Sequence, residues 1–241
     1  MTSKVLVTGV MAAVLAIGGA VQATPISVET TGADFGTLLG GSLTLVGSPL
    51  TSDFSGGSLS ADVVSAVFTN GEGSYLYLYQ VNNIGAPNTD SIIRFTTGPI
   101  TQGSSQISLG YLTANVPAPF VSGNQTPLYG DIDATSGPTV GFDFPVGYST
   151  LHIPDSFIGP GKSSMVLYIE STLSPGLVTG NIIDGQVRAN QVIGPVPEPG
   201  TLVLLLAAGL GALAYVLQRE MVPLRWLTSL SLGKRHPSGG L

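Results

Sequence analysis

Residues 74–81 read SYLYLYQV and give the clearest structural signal in the chain. Side chains alternate between the two faces of a β-strand, so Tyr75, Tyr77 and Tyr79 share one face, and Leu76 and Leu78 share the other. Because both faces are bulky, the pattern predicts a central strand, with leucines in the core and tyrosines packed across neighbouring strands. The alternative is an exposed tyrosine stripe that stacks on sugar rings, since a flat apolar face with hydroxyl groups suits a pyranose.

Seven further runs are rich in Val, Ile, Tyr, Phe and Thr, and glycines and prolines separate them. Short strand signals with turn residues between them predict an all-β fold, specifically an antiparallel β-sandwich of the jelly-roll or immunoglobulin-like type. No stretch between the runs has the pattern of a long amphipathic helix. The seven runs are Ser42–Val46, Ser60–Thr69, Ser91–Thr97, Gln106–Leu112, Thr139–Phe144, Ser164–Ser171 and Gly185–Val192.

The first 23 residues have the pattern of a secretory signal. Lys4 precedes an uncharged apolar run from Val5 to Val21, and the small residues Val21 and Ala23 stand where a signal peptidase requires them. The sequence therefore predicts a signal helix at residues 1–23 with signal peptidase as a partner. The apolar run is long for a signal, which leaves an uncleaved N-terminal anchor as an alternative.

The segment predicted to be exported is acidic and contains no cysteine. Residues 24–198 hold thirteen acids against three cations, Arg94, Lys162 and Arg188, a net charge of −10. Such a surface repels phosphate backbones, which argues against nucleic-acid binding. Without disulfides the domain must be stabilised by its core, and a segment of this length is long enough to form one.

A second apolar segment lies near the C-terminus. Residues 201–217 carry no charge, and as a helix they would extend about 25 Å, close to the thickness of a bilayer's hydrocarbon core. Basic residues follow the segment, whereas Glu198 is the only charge in the twelve residues before it. This asymmetry predicts a transmembrane helix with residues 220–241 as a cytoplasmic tail and the preceding domain outside.

The junction before this helix reads VPEPGT at residues 196–201, and this motif, followed by an apolar helix, resembles the PEP-CTERM sorting signal of exported bacterial proteins. Two prolines hold an extended backbone that a protease-type cleft can bind, and an apolar helix and Arg219 follow. The resemblance implies recognition by an exosortase, a membrane transpeptidase-like enzyme that removes the helix near the motif, in a bacterium that makes exopolysaccharide. A glycine stands where the family more often has serine, and the chain continues beyond the basic flank. The motif residues are Val196, Pro197, Glu198, Pro199, Gly200 and Thr201.

Catalytic chemistry has little support in the sequence. His152 is the only histidine of the exported segment, and although Asp155 lies nearby, no G-x-S-x-G turn presents a serine to them. No cofactor motif is present. The alternating carboxylates Asp131 and Asp133 lie in a stretch read as a glycine-rich loop and form a weak candidate for structural calcium, to which Asp143 and Asp155 could add ligands.

These features predict four segments. They are a signal peptide at 1–23, a β-sandwich ectodomain at 24–193, a sorting signal at 194–219, and the tail. The leading hypothesis is a non-catalytic exported protein that is anchored in the inner membrane until an exosortase processes it, and that then joins the cell envelope or extracellular matrix, where it associates with exopolysaccharide. The alternatives are a carbohydrate-binding module and a secreted hydrolase whose site includes Asp131, Asp133, Asp143 or His152.

Overall fold

A computed structural model describes residues 26–100, 107–133, 139–145 and 156–196, together with three residues of the C-terminal segment. Within these residues the chain forms thirteen strands and one short 3₁₀ helix, Phe35–Gly40. The strands are β1 (Ile26–Glu29), β2 (Thr31–Asp34), β3 (Thr44–Asp53), β4 (Ala61–Thr69), β5 (Tyr75–Asn83), β6 (Arg94–Gly98), β7 (Ser108–Ala114), β8 (Tyr129–Asp133), β9 (Thr139–Asp143), β10 (Lys162–Ser163), β11 (Leu167–Ser171), β12 (Ser174–Ile183) and β13 (Val187–Val196).

The strands form two sheets. The six-stranded sheet has the order β1-β8-β9-β6-β12-β13, and its neighbouring strands are antiparallel. The seven-stranded sheet has the order β2-β7-β11-β5-β4-β3, with β10 also paired to β5; its β2–β7 pair is parallel and its other pairs are antiparallel. The chain passes from one sheet to the other after β1, β5, β6, β7, β9 and β11, so strands adjacent in sequence often lie in different sheets.

One hydrophobic core lies between the sheets and takes side chains from both. Tyr79 of β5 packs against Phe95 of β6 with ring centroids 5.4 Å apart, which joins the middle of one sheet to the middle of the other. A buried aromatic side chain removes roughly 150–250 Å² from water. In a chain without cysteine, this burial is the main source of stability. The largest fully buried aromatic residues of this core are Tyr77, Tyr79, Phe54, Phe95, Phe142 and Phe144.

A second hydrophobic cluster covers the opposite face of the seven-stranded sheet. Leu76 and Leu78 of β5 are fully buried in it. Phe35 of the 3₁₀ helix packs edge-on against Phe68 of β4, with ring centroids 5.1 Å apart. The 3₁₀ helix thus closes this face, and β5, which lies between β4 and β11, is buried on both sides. This arrangement is the physical reason for the bulky residues at every position of residues 75–79.

The all-β prediction is confirmed, since the chain is mostly strand and has two sheets. Each of the eight predicted runs overlaps a strand. Strand β12 was missed because Pro175, Gly176 and Gly180 resemble loop residues, and β8 was wrongly assigned to a loop. The jelly-roll or immunoglobulin-like type of sandwich remains a prediction.

The chain divides into two compact units, residues 1–197 and 198–241. In the first unit, β13 continues past the predicted boundary at residue 193 and ends at Val196. In the second unit, Ala208, Leu210 and Gly211 are described, and all three are helical and exposed. Among the described residues, no helix has the length and hydropathy needed to cross a membrane. The predicted signal at 1–23, the tail at 220–241 and the rest of the span at 201–217 lie outside the described residues.

Candidate functional site

The last strand of the folded unit leads directly into the predicted sorting motif. β13 pairs with β12 over its whole length, and the final pairs are Pro195 with Pro175 and Val196 with Ser174. Val196 is half-buried against the inter-sheet core. Gly176 makes room for it, because a Cβ at that position would lie 2.5 Å from Cγ2 of Val196. The sheet therefore holds the chain up to the residue before Pro197.

The outer edge of β13 is also tied to the other sheet. The backbone N–H of Ile193 donates to Oγ of Ser65 on β4, at 3.1 Å. The hydroxyl of Ser52 on β3 donates to the carbonyl of Gln191, at 2.5 Å. Both sheets thus fix the strand that precedes the motif. The remaining motif residues, Pro197, Glu198, Pro199, Gly200 and Thr201, and the signal-cleavage residues, Val21 and Ala23, lie outside the described residues.

The tyrosines of β5 face the inter-sheet core. Tyr77 and Tyr79 are fully buried, and Tyr75 is half-buried against the same core. The exposed-stripe alternative is therefore wrong for Tyr77 and Tyr79, whose rings a sugar cannot reach. The prediction of a central strand with buried leucines is confirmed, since Leu76 and Leu78 are buried in the second cluster, while the tyrosines face the core between the sheets.

Burial also determines the protonation of these phenols. Burial raises the pKa of Tyr77, and the neighbouring Tyr79 and Tyr75 raise it further. Burial raises the pKa of Tyr79 as well, against a smaller lowering by Thr97. The Tyr77 hydroxyl donates to the carbonyl of Leu173, which ties β5 to the turn after β11. The two buried rings are therefore neutral structural groups at ordinary pH.

The predicted calcium ligands are only partly brought together, and Arg94 engages two of them. Its Nη2 contacts both carboxylate oxygens of Asp131 at 2.7 and 2.8 Å, and its Nη1 contacts both oxygens of Asp143 at the same distances. Asp131 lies in β8, a strand and not a loop. The side chain of Asp133 lies outside the described residues, as do His152 and Asp155. The described residues contain no group of three metal-ligating side chains.

Gly141 allows the arginine to reach across the sheet. Arg94 is on β6 and Asp131 on β8, so β9 lies between them. A Cβ at Gly141 would lie 2.2 Å from Asp131 Oδ1 and 2.5 Å from Arg94 Nη2. Any side chain at this position would therefore displace the ion pair. Partial burial alone would lower the pKa of Arg94, but its hydrogen bonds to Asp131 and Asp143 raise it overall. This ion-pair cluster joins three strands on a half-exposed face.

A cleft of about 290 Å³ lies at one end of the seven-stranded sheet. β11 runs antiparallel to its two neighbours, β5 and β7, so the end of β11 lies beside the starts of β5 and β7 at the cleft. Glu170 pairs across the strands with Ser108, and Ser171 pairs with Tyr75. No sequence pattern predicted this site, because its residues are far apart in the chain. The only local sign was Glu170, a charged residue in the otherwise apolar run that forms β11. The cleft is lined by Leu39, Ser74, Ile107, Ser108, Glu170, Ser171 and Thr172.

Comparison with protein families identifies one segment of the chain. Residues 195–219 match the model of the PEP-CTERM protein-sorting motif, which confirms the resemblance drawn from the Pro-Glu-Pro sequence. The match begins at Pro195, inside the last strand of the sheet. No curated protein and no solved structure matches the chain significantly. The motif implies an exported, membrane-anchored sorting substrate that an exosortase processes.

Proposed function

We propose that this chain is a non-catalytic exported protein of the cell surface or extracellular matrix, released from its membrane anchor by an exosortase and associated with exopolysaccharide. The observation that carries the proposal is the sorting motif at residues 195–219, which follows a folded sheet with no spacer. A domain placed directly before a membrane-sorting signal is the part of the chain that such sorting delivers. The predicted N-terminal signal agrees with this direction of transport.

Asp131 and Asp143, two of the acids that the hydrolase alternative would use, have a structural role in the folded unit. A hydrolase would need carboxylates free to exchange protons with a substrate. Asp131 and Asp143 are instead each held by two hydrogen bonds from Arg94. Neither of them lines the cleft at Glu170. These contacts favour a binding or matrix protein over the hydrolase alternative.

Membrane fractionation tests the exosortase-dependent step. The full chain is expressed in a host that has the matching exosortase and in the same host without it. We expect the protein to leave the inner-membrane fraction only when the enzyme is present, and the P197A/P199A variant to stay in the membrane with the enzyme present. The matched control is Pro237→Ala, outside the matched motif, which should behave as wild type. Equal fractionation in both hosts would contradict the proposal.

Association with exopolysaccharide requires a separate test. The released protein is sedimented with extracellular material from a polysaccharide-producing strain and from a strain that makes none. We expect the protein in the pellet only when the polysaccharide is present. An equal distribution in the two strains would remove the polysaccharide part of the proposal and leave the sorting part intact.

A further inference from the structure

We infer that the cleft at Glu170 binds a single neutral pyranose ring, such as a terminal or branching unit of a polysaccharide. The inference gives the proposed exopolysaccharide association a site, and to that extent it rests on the proposed function. It does not require exosortase processing. The argument uses the size of the cleft, its hydrogen-bonding groups and its apolar walls.

The size of the cleft suits one sugar ring. Its volume of about 290 Å³ is just below the range for small-molecule sites, roughly 300–1,000 Å³. Three strand ends form its floor, and Leu39 of the 3₁₀ helix borders it. The cleft therefore has room for one unit of a chain and not for a long stretch of it.

The polar groups of the cleft match those of a sugar. Ser74 and Ser108 present hydroxyls that can both donate and accept, as sugar hydroxyls do, whereas Ser171 is buried and its Oγ already accepts from the backbone N–H of Leu173 at 3.1 Å. Glu170 adds a carboxylate, which accepts hydrogen bonds from two neighbouring hydroxyls of one ring. Within the described residues, this carboxylate forms no ion pair. The hydroxyl residues are Ser74, Ser108, Ser171 and Thr172.

The described lining of the cleft has no basic residue, which argues against an anionic ligand. Phosphate, sulfate and uronate groups are recognised by arginine, lysine or clustered backbone N–H groups. The described lining contains neither a lysine nor an arginine and carries the charge of Glu170. An anionic sugar would be repelled, so the chemistry favours a neutral ring.

Two aliphatic side chains supply the apolar contact that a sugar ring's C–H groups need. Ile107 and Leu39 line the cleft, and both are half-buried. Leu39 has a φ of 49° and a ψ of 29°, in the left-handed region that non-glycine residues rarely adopt. The Asn70 side chain donates to the Leu39 carbonyl at 3.3 Å. The fold thus holds a leucine at the cleft in a conformation that glycine would adopt without strain.

Saturation-transfer NMR on the full chain in detergent tests the site with three neutral probes, the methyl glycosides of glucose, mannose and galactose. We expect transfer to at least one probe, with a dissociation constant on the order of 1 mM, because a single ring makes few contacts. Glu170→Gln keeps the shape of the side chain and should weaken binding about fivefold through loss of the charge-assisted hydrogen bonds. Ser108→Leu should abolish binding by filling the cleft.

The matched control is Glu72→Gln, the same chemical change at an exposed turn residue that does not line the cleft. It should bind as wild type. Thermal unfolding of each variant checks that the fold is retained. The inference fails if none of the three glycosides shows transfer, or if Glu170→Gln and Ser108→Leu bind as wild type does. Either result would leave the fractionation experiment unaffected, so the two proposals can fail separately.

Discussion

The two sheets of this protein differ in what covers their outer faces. The seven-stranded sheet has the inter-sheet core on one side and a second apolar cluster, closed by the 3₁₀ helix, on the other. The six-stranded sheet has the same core on its inner side, but its outer side carries the half-exposed ion-pair cluster of Arg94, Asp131 and Asp143. Hydrophobic burial therefore stabilises both faces of the seven-stranded sheet. On the outer face of the six-stranded sheet, hydrogen bonds and ion pairs between strands take this role.

The inter-sheet core should show the largest effect of a single substitution. Tyr79→Ala removes a fully buried ring and leaves a cavity beside Phe95, which should lower the free energy of unfolding by about 4 kcal/mol. Urea unfolding measures this quantity. Tyr75→Ala, at a half-buried position of the same face, is the matched control and should cost less. Equal losses for the two variants would mean that burial does not distinguish these tyrosines.

Alkaline unfolding tests the same core without a cavity. Burial raises the folded-state pKa of both Tyr77 and Tyr79 above that of the unfolded chain, which is about 10. The free energy of unfolding therefore includes the full contribution of the two neutral phenols below pH 10. This contribution is lost as pH rises above 10, because the unfolded state releases the protons first. For two such groups, unfolding should become easier by about 2 kcal/mol between pH 10 and pH 11.

The double variant Y77F/Y79F isolates this pH effect, since phenylalanine has no proton to release. Urea unfolding of the variant should lose most of the decline between pH 10 and pH 11, although removal of the Tyr77 hydrogen bond lowers its stability at every pH. A variant that declines as steeply as wild type would show that other groups cause the alkaline unfolding.

The polar outer face should depend on Arg94. Replacing it by methionine leaves Asp131 and Asp143 without their shared cation and should cost about 2 kcal/mol, a value below that of a fully buried pair because the three side chains are partly exposed. Lys162→Met, at an exposed position, should cost under about 0.5 kcal/mol. Comparable losses for the two variants would remove the ion-pair cluster as a stabilising feature.

Gly141→Ala should destabilise the fold less than Arg94→Met does, by about 1 kcal/mol, because the new methyl group meets the flexible ends of two side chains. The informative quantity is its coupling to Arg94. In the Arg94→Met background the methyl group no longer meets the guanidinium, so the cost should be smaller than in wild type. Additive costs in urea unfolding would show that Gly141 does not act by making room for the ion pair.

The sequence predicted the strands better than the surfaces they form. Period-two alternation showed which residues of β5 share a face, but when both faces are bulky it could not show which one lies toward the inter-sheet core and which toward the second cluster. β12 could not be predicted because its proline and two glycines are typical of turns, although pairing with β13 stabilises it as a strand.

The ion-pair cluster and the cleft could not be predicted for a different reason. Arg94 meets Asp131 only because β9 separates β6 from β8 and has a glycine at the crossing point. The cleft unites the ends of three strands that are far apart in the chain. In both places the contact depends on strand order, which alternation patterns do not contain. The sorting motif was found from sequence because its residues are consecutive.

The central claim is that the motif at residues 195–219 directs removal of the C-terminal segment from an exported domain. Intact mass spectrometry of the full chain, purified from hosts with and without the matching exosortase, measures this directly. We expect a mature C-terminus near residues 197–200 when the enzyme is present and Leu241 as the last residue when it is absent. Retention of Leu241 in both hosts would contradict the account.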